Sequence, residues 1–199
     1  MRRVGLWVLA AMALCATGAR AQSELDGGPG RGSHEFQVWT TGGHSVQGGA
    51  PNTAALSVGA RYGWVLTDLH GSGFLRGRFE YAVDAIPVFV IFEPAQTVYG
   101  VSFDPFALRW NVQQRHGVMP YAELSGGVLF TNHAVPPGAN AVNFTPSGSI
   151  GISVPHGRFR WTAELHFQHM SDSNLTKYNP GINLLQLRLG FGFFKKHSQ

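Results

Sequence analysis

The sequence is poor in cysteine and in charge, and after its first residues it has no long apolar run. Lys, Arg, Asp and Glu make up 13% of the chain, whereas about a quarter is usual for a soluble domain. No later segment is long and apolar enough for a transmembrane helix. The single cysteine, Cys15, lies in the leader described next, so the exported chain would have no disulfide. Such a chain needs another source of stability, for example a closed hydrogen-bonded sheet.

The first residues have the pattern of a cleavable secretory signal peptide. Two arginines precede an apolar run over residues 4–14, and an alanine-arginine-alanine sequence at residues 19–21 provides a small-residue cleavage site. We therefore predict a signal peptide over residues 1–21. Its removal takes away three of the fifteen basic residues and leaves a net charge of +1. The high isoelectric point thus belongs mostly to the leader, and no nucleic-acid partner is indicated.

The chain that follows the leader has the length of one domain. It starts with a glycine-rich lead-in over residues 22–32, which we predict to be flexible. We predict the folded domain over residues 33–194 and a short tail over residues 195–199.

Apolar and polar side chains alternate along this domain with a period of two, the pattern of a β-strand with one apolar face. In the last such segment, Leu185, Leu187 and Leu189 alternate with Gln186 and Arg188. Turn-rich segments separate the alternating stretches, so the sequence predicts about eight strands. Clear alternation covers residues 56–67, 75–84, 143–154, 160–168 and 185–193, and weaker alternation covers residues 34–41, 97–111 and 119–131.

The composition of the two strand faces indicates which of them points inward. The polar face is crowded with Gly, Ser and Thr, whereas the other face carries Leu, Phe, Trp and Tyr. A soluble barrel would bury the apolar face beneath a Lys- and Glu-rich exterior, but small polar residues suit the lumen of a narrow barrel whose apolar face contacts lipid. We therefore predict an all-β fold, an eight-stranded antiparallel transmembrane β-barrel of the Gram-negative outer membrane.

Three polar side chains interrupt the apolar face near the predicted outer end of the barrel. With the amino terminus on the periplasmic side, the seventh predicted strand, over residues 157–170, ends at the outer surface, and residues 171–181 form an external loop. His169 and Ser171 continue the lipid-facing alternation of this strand, and Asn183 has the same register at the start of the eighth. Because alternate residues of a strand share a face, we expect the three side chains to converge on the outer wall.

The same residues carry a resemblance to a known family. The stretch His169-Met170-Ser171, followed by Asn179-Pro180-Gly181, is similar to the His-x-Ser-Asn and Asn-x-Gly motifs of the lipid A 3-O-deacylase (PagL-type) family. The resemblance covers residues 99–194, whereas earlier strands match only in pattern. It implies an outer-membrane esterase on an eight-stranded barrel, with the lipid A of lipopolysaccharide as substrate and no cofactor.

A serine esterase needs a nucleophile, a base that takes its proton, and a group that holds the base. By the resemblance, Ser171 is the nucleophile and His169 is the general base. Asn183 stands where the family has an acid, and Asp172 stands where it has an asparagine of the oxyanion hole. Either Asn183 or Asp172 therefore remains a candidate for orienting His169. The candidates for the oxyanion hole are backbone N–H groups, Asn174 and Asn179.

Other interpretations of these residues stay open. His169 and Ser171 also fit a pair of interfacial polar residues at a strand end, and the departures from the family motif fit a non-catalytic structural or adhesion barrel on the same scaffold. A small porin is a third alternative, but eight strands leave little lumen. We expect Arg160, Glu164 and His166 to form a structural charge network in the lumen. No histidine spacing is typical of a metal site, and a homodimer stays open as one oligomeric state.

Overall fold

A computed structural model describes residues 28–195 of the protein. The predicted signal peptide, part of the predicted lead-in and most of the predicted tail lie outside the described residues. Strands make up most of the described chain, and a single turn of 3-10 helix lies at Gly73–Leu75. No helix within residues 28–195 is long and apolar enough to cross a membrane. The strands are β1 (His34–Val46), β2 (Ala54–Val65), β3 (Gly77–Phe92), β4 (Thr97–Val112), β5 (Met119–Thr131), β6 (Val142–Phe144), β7 (Ser147–His156), β8 (Phe159–Met170) and β9 (Ile182–Lys195).

These strands close into a barrel in which every neighbour is antiparallel. The first and last strands, β1 and β9, pair over their whole length, and β4 pairs with β5. The short strand β6 and the longer β7 both pair with β5, so they share one position in the wall. The barrel therefore has eight strand positions, which confirms the predicted fold class.

Thr145 and Pro146 interrupt what the sequence predicts as one strand over residues 143–154. Proline has no backbone N–H and cannot donate to a strand ladder, so β6 ends before it and β7 begins after it. The interruption does not open the wall. Pro146 O accepts a hydrogen bond of 2.9 Å from His169 N, and Phe144 and Ser171 exchange two backbone bonds of 2.7 and 3.1 Å.

Two further differences from the predicted strands, in β3 and β4, come from β-bulges. The alternation over residues 75–84 predicts only the first half of β3, because the strand changes register between Ile86 and Phe89. A bulge changes which face the following residues take, so one period of two cannot describe the whole strand. In β4 the register shifts between Phe103 and Phe106, which explains its weaker alternation. Leu75, included in the predicted strand, lies in the 3-10 turn instead.

The two faces of the wall have the predicted orientation. Leu185, Leu187 and Leu189 are exposed on the outside, whereas Arg160 and Arg188 are buried inside. Large apolar side chains cover the outer wall from Phe36 in β1 to Phe193 in β9. The inside-out distribution predicted from composition is confirmed.

The interior of the barrel has two layers. One layer is charged: Arg61 binds Asp84 at 2.7 Å and Glu123 at 2.6 Å, and Arg160 binds Glu35. The other layer is apolar and fills the end of the barrel from which the loops over residues 47–53, 93–96, 132–141 and 171–181 extend; we call this end the loop end. Its buried side chains are Ile91, Val98, Leu129, Val135, Met170, Ile182 and Leu184.

Candidate active site

The end of β8 and the start of β9 bring His169 next to Asn183 at the loop end of the outer wall. The two residues are direct partners in the register of the hairpin. Both side chains are half-buried, and His169 Nδ1 is 2.7 Å from Asn183 Oδ1. Their inward neighbours Met170, Ile182 and Leu184 belong to the apolar interior layer. This packing holds the two strand ends together and leaves the polar pair on the outside.

The backbone of Gly181 lies against the imidazole of His169. Gly181 has a φ of +63°, a conformation that glycine adopts at little cost. A Cβ at this position would lie 2.9 Å from His169 Cε1 and 3.4 Å from His169 Nε2. The last residue of the Asn-x-Gly motif therefore leaves room for the ring and does more than form a hairpin turn.

Ser171 continues the outward register of β8 by one more alternate position. It is half-buried, and its backbone is fixed by the two hydrogen bonds to Phe144. No hydrogen bond joins its hydroxyl to His169 within the described chain; such bonds are often loose before substrate binds. The sequence predicted that His169, Ser171 and Asn183 share one outer face, and this is the face on which all three lie.

Asp172 has the opposite orientation. Its side chain is buried, and its Oδ2 accepts hydrogen bonds from Thr176 N at 3.2 Å and Thr176 Oγ1 at 2.5 Å. These bonds tie down the loop that follows β8. Successive residues of an extended chain point to opposite faces, and Ser171 lies on the outer face. The buried carboxylate of Asp172 therefore faces away from the His169 ring, which Asn183 already contacts.

The two asparagines proposed for an oxyanion hole lie in different parts of this loop. Asn174 is exposed and has a φ of +63°, next to Ser173 with a φ of +54°. These two residues form the corner of a turn closed by the bond from Leu175 N to Asp172 O at 3.1 Å. Asn179 is half-buried, and its Oδ1 accepts a long hydrogen bond of 3.4 Å from Asp172 N. Asn179 is therefore next to the peptide that follows Ser171.

An apolar groove runs along the outer wall away from the pair. It has a volume of about 460 Å³ and begins at Phe167 and Leu185, each two residues from His169 or Asn183. Gly148 forms part of the floor, since a Cβ there would lie 3.4 Å from Leu124 Cδ2. Ile150, Leu165, Leu108 and Trp110 also line the groove.

The predicted lumenal cluster lies in the charged layer. Glu164 Oε1 is 3.2 Å from both His166 Nδ1 and Arg188 Nη1, and Tyr121 donates to Glu164 Oε2 at 2.8 Å. Glu164 and His166 lie inside the barrel, as the alternation predicted, but their partners are Arg188 and Tyr121, whereas Arg160 binds Glu35 instead. No group of three or more His, Cys, Asp or Glu side chains in residues 28–195 is arranged to hold a metal ion.

One further contact at the site has no signal in the sequence. Asn183 Nδ2 donates to the backbone carbonyl of Gln47 at 3.2 Å, and a Cβ at Gly48 would lie 2.7 Å from the same nitrogen. Both residues lie in the loop after β1, which the sequence identifies only as rich in turn residues. A backbone carbonyl has no sequence signature, so only the closure of β1 on β9 reveals this partner.

Comparison with known proteins gives one family and a common fold. The family model for lipid A 3-O-deacylase (PagL) matches residues 31–192. Among solved structures, the crystal structure of the outer membrane enzyme PagL superposes with a TM-score of 0.58 and 16% identity, over 77% of this chain and 97% of that one. The outer membrane protein OprG from Pseudomonas aeruginosa gives a TM-score of 0.53 and 10% identity, over 85% of this chain and 99% of that one.

At such low identities, the structural similarity shows the fold alone. No curated protein sequence gives a significant match. The family model, by contrast, spans most of the chain and includes both strands of the His169–Asn183 hairpin. The chain therefore belongs to the lipid A 3-O-deacylase (PagL) family.

Proposed function

We propose that this protein is a serine esterase of the Gram-negative outer membrane that releases an ester-linked acyl chain from lipid A. The observation that carries the proposal is the 2.7 Å contact between His169 and Asn183 on the apolar outer wall, with Ser171 on the same face. A polar pair of this kind is accessible to a lipid that approaches sideways within the outer leaflet. Family membership supports the substrate class.

The surface of the barrel supports a membrane location. The outer wall is apolar, while buried charges fill the interior, which is the distribution expected of an outer-membrane barrel. Outward aromatic rings contact one another near the end opposite the loop end: Phe36 stacks on Phe193 with centroids 5.4 Å apart, and Tyr62 meets Trp64 at 4.4 Å. Such aromatic bands are typical of a membrane interface.

The proposed reaction follows the acyl-transfer chemistry of serine esterases. His169 takes the proton of the Ser171 hydroxyl as its Oγ attacks the ester carbonyl carbon. Collapse of the tetrahedral intermediate breaks the bond to the sugar oxygen, which leaves as an alcohol with the proton from His169. Water, deprotonated by His169, then attacks the acyl-serine; the fatty acid leaves and Ser171 regains its proton. Asn183 holds the imidazole through Nδ1 in both steps.

The negative charge on the tetrahedral oxygen needs a hydrogen-bond donor. Asn179 suits this role better than Asn174, because its amide lies next to the peptide following Ser171, whereas Asn174 is exposed at a turn. Asp172 does not oppose the oxyanion, since its carboxylate is buried on the other face and accepts hydrogen bonds from Thr176. The groove that begins at Phe167 and Leu185 would receive the acyl chain.

The direct test is release of fatty acid from lipid A by purified protein in lipid vesicles, followed by mass spectrometry. We expect release by the wild type and none by Ser171→Ala. Ser173→Ala is the matched control, because Ser173 is exposed two residues away and should have full activity. Folded wild-type protein that releases no acyl chain would contradict the proposal and favour the non-catalytic barrel on the same scaffold.

A further inference from the structure

The loop that follows β1 reaches the His169–Asn183 pair across the seam of the barrel, which is the junction between the first strand β1 and the last strand β9. β1 and β9 pair as far as Val46 and Asn183. Immediately beyond this pair, Asn183 Nδ2 donates to Gln47 O at 3.2 Å, and Ala50 N donates to Gly181 O at 2.8 Å. The loop is thus hydrogen-bonded to Asn183, the residue that contacts His169, and to Gly181 just before β9.

The Gln47 carbonyl determines which end of the Asn183 amide faces His169. A carbonyl oxygen can only accept hydrogen bonds, so the atom of Asn183 that faces Gln47 must be the NH₂ group. The Oδ1 atom is then the one that contacts His169 Nδ1 at 2.7 Å. Because Oδ1 can only accept, Nδ1 must carry the hydrogen, and the lone pair of the neutral ring lies on Nε2.

Two glycines allow the loop to come this close. Gly48 has a φ of +100°, and a Cβ on it would lie 2.7 Å from Asn183 Nδ2. A Cβ on Gly49 would lie 2.7 Å from Gly181 O. Real Cβ atoms do not approach other heavy atoms this closely. A side chain at Gly48 would therefore displace the Asn183 amide or the loop, and a side chain at Gly49 would push the loop away from the backbone of Gly181.

We propose that the loop over residues 47–50 positions the general base: the Gln47 carbonyl, acting through the Asn183 amide, keeps His169 in the tautomer whose Nε2 can accept a proton. Gln47 and Gly48 are positioning residues, since they act on His169 through Asn183. The contact also explains why an amide suits position 183. A carboxylate there has no hydrogen to donate, and its oxygen would repel the carbonyl oxygen of Gln47. The catalytic meaning of this arrangement rests on the proposed esterase function, but the tautomer does not.

The test is the tautomer of His169, measured by long-range ¹H–¹⁵N NMR on ¹⁵N-histidine-labelled protein in detergent at alkaline pH. The chain has nine histidines, so the His169 signals are assigned by their loss in His169→Gln. We expect a protonated Nδ1 and an unprotonated Nε2 in the wild type. We expect a mixture of tautomers in Gly48→Ala, and also in Asn183→Leu, which removes both hydrogen bonds of the amide with little change of volume.

Gly157→Ala is the matched control for backbone strain. Gly157 also has a positive φ, +62°, but a Cβ there would have no atom within 4 Å, and it lies in the turn between β7 and β8, away from the loop end. We expect its His169 spectrum to equal that of the wild type.

In the esterase assay, Gly48→Ala should lower kcat on the order of 10-fold with little change in KM. The reason is that the wrong tautomer of His169 cannot take the proton of Ser171, whereas the surface that binds the substrate is unchanged.

The NMR outcome decides the positioning inference independently of the esterase assay. A wild-type His169 protonated at Nε2, or wild-type spectra in both Gly48→Ala and Asn183→Leu, would overturn it even if the protein hydrolyses lipid A. The expected tautomers in a protein that releases no acyl chain would sustain the positioning role of the loop, and the esterase proposal alone would fail.

Discussion

His166 and His169 lie three residues apart on the same strand and have opposite environments. His166 is buried inside the barrel, with Nδ1 3.2 Å from Glu164 Oε1 and Nε2 3.3 Å from Arg188 Nη2. His169 is half-buried on the outer wall, where Nδ1 contacts the neutral amide of Asn183. An odd spacing along a strand sends two side chains to opposite faces. One histidine therefore meets charges and the other faces the apolar exterior.

The comparison shows why residue type alone does not identify a base. A guanidinium can only donate, so Arg188 occupies the lone pair of His166 Nε2. His166 also has no access to a lipid outside the wall. The amide of Asn183 uses only one nitrogen of His169 and leaves the other for a hydroxyl on the outer face. The partners and the face, rather than the imidazole itself, distinguish the structural histidine from the candidate base.

The largest expected effect comes from removing the outer histidine. His169→Ala should lower the rate of acyl release by at least about 10³-fold, because nothing else takes the proton of Ser171. Its melting temperature should stay close to that of the wild type, since the ring is half-buried and makes one side-chain hydrogen bond. Fatty-acid release and thermal unfolding followed by circular dichroism measure the two quantities.

His166→Ala is the control from the same strand. We expect it to lower the melting temperature, because it leaves a cavity and weakens the contacts of Glu164, while release per folded molecule stays within a few fold of the wild type. An equal loss of activity in both variants at equal folding would remove the distinction between the two histidines.

The next effect concerns the charged layer that surrounds His166. Glu164→Ala removes the partner of Arg188 Nη1 at 3.2 Å and of the Tyr121 hydroxyl at 2.8 Å. Loss of one member of a buried ion pair costs about 3–5 kcal/mol, so the free energy of unfolding should fall by that order, as measured by urea denaturation in lipid vesicles. Glu164→Gln, which can still accept from Tyr121, should lose less. Unchanged stability in both variants would show that the lumenal network is not structural.

A smaller effect tests the outer face that His169 shares. Leu187 is exposed on the outer wall, and an arginine there should lower the free energy of unfolding by about 2–4 kcal/mol if the wall contacts the middle of a bilayer. Leu187→Phe should have little effect. Urea unfolding in vesicles measures both variants, and an equally stable Leu187→Arg would argue against a lipid-facing wall.

The smallest effect is expected at Asp172, although it departs from the family motif. Asp172→Asn should change acyl release by less than about 10-fold, because the side chain lies on the inner face and contacts Thr176 instead of His169 or Ser171. One oxyanion donor is worth about 10²–10³-fold in rate. A rise of that size would assign position 172 to the oxyanion hole. A fall of about 10⁴-fold would identify Asp172 as the residue that orients His169.

Much of the fold and part of the site could be predicted from the sequence because both depend on local alternation. Side chains two residues apart share a face, so the register that sends Leu185 and Leu187 outward also sends Asn183 outward. The same argument predicted that His169 and Ser171 share the outer wall. The prediction was incomplete where alternation stops, namely at the bulge between Ile86 and Phe89 and at the break before Pro146.

By itself, the sequence determined the number of strand positions in the wall, the inside-out distribution of side chains and the face on which His169, Ser171 and Asn183 lie. The tertiary structure decided which group holds the base. The pairing of Asn183 with His169 follows from the register of the β8–β9 hairpin, and its contact with Gln47 joins residues 136 positions apart. The physical reason is that alternation is a property of one strand, whereas hydrogen bonds across the seam exist only once the first strand has closed on the last.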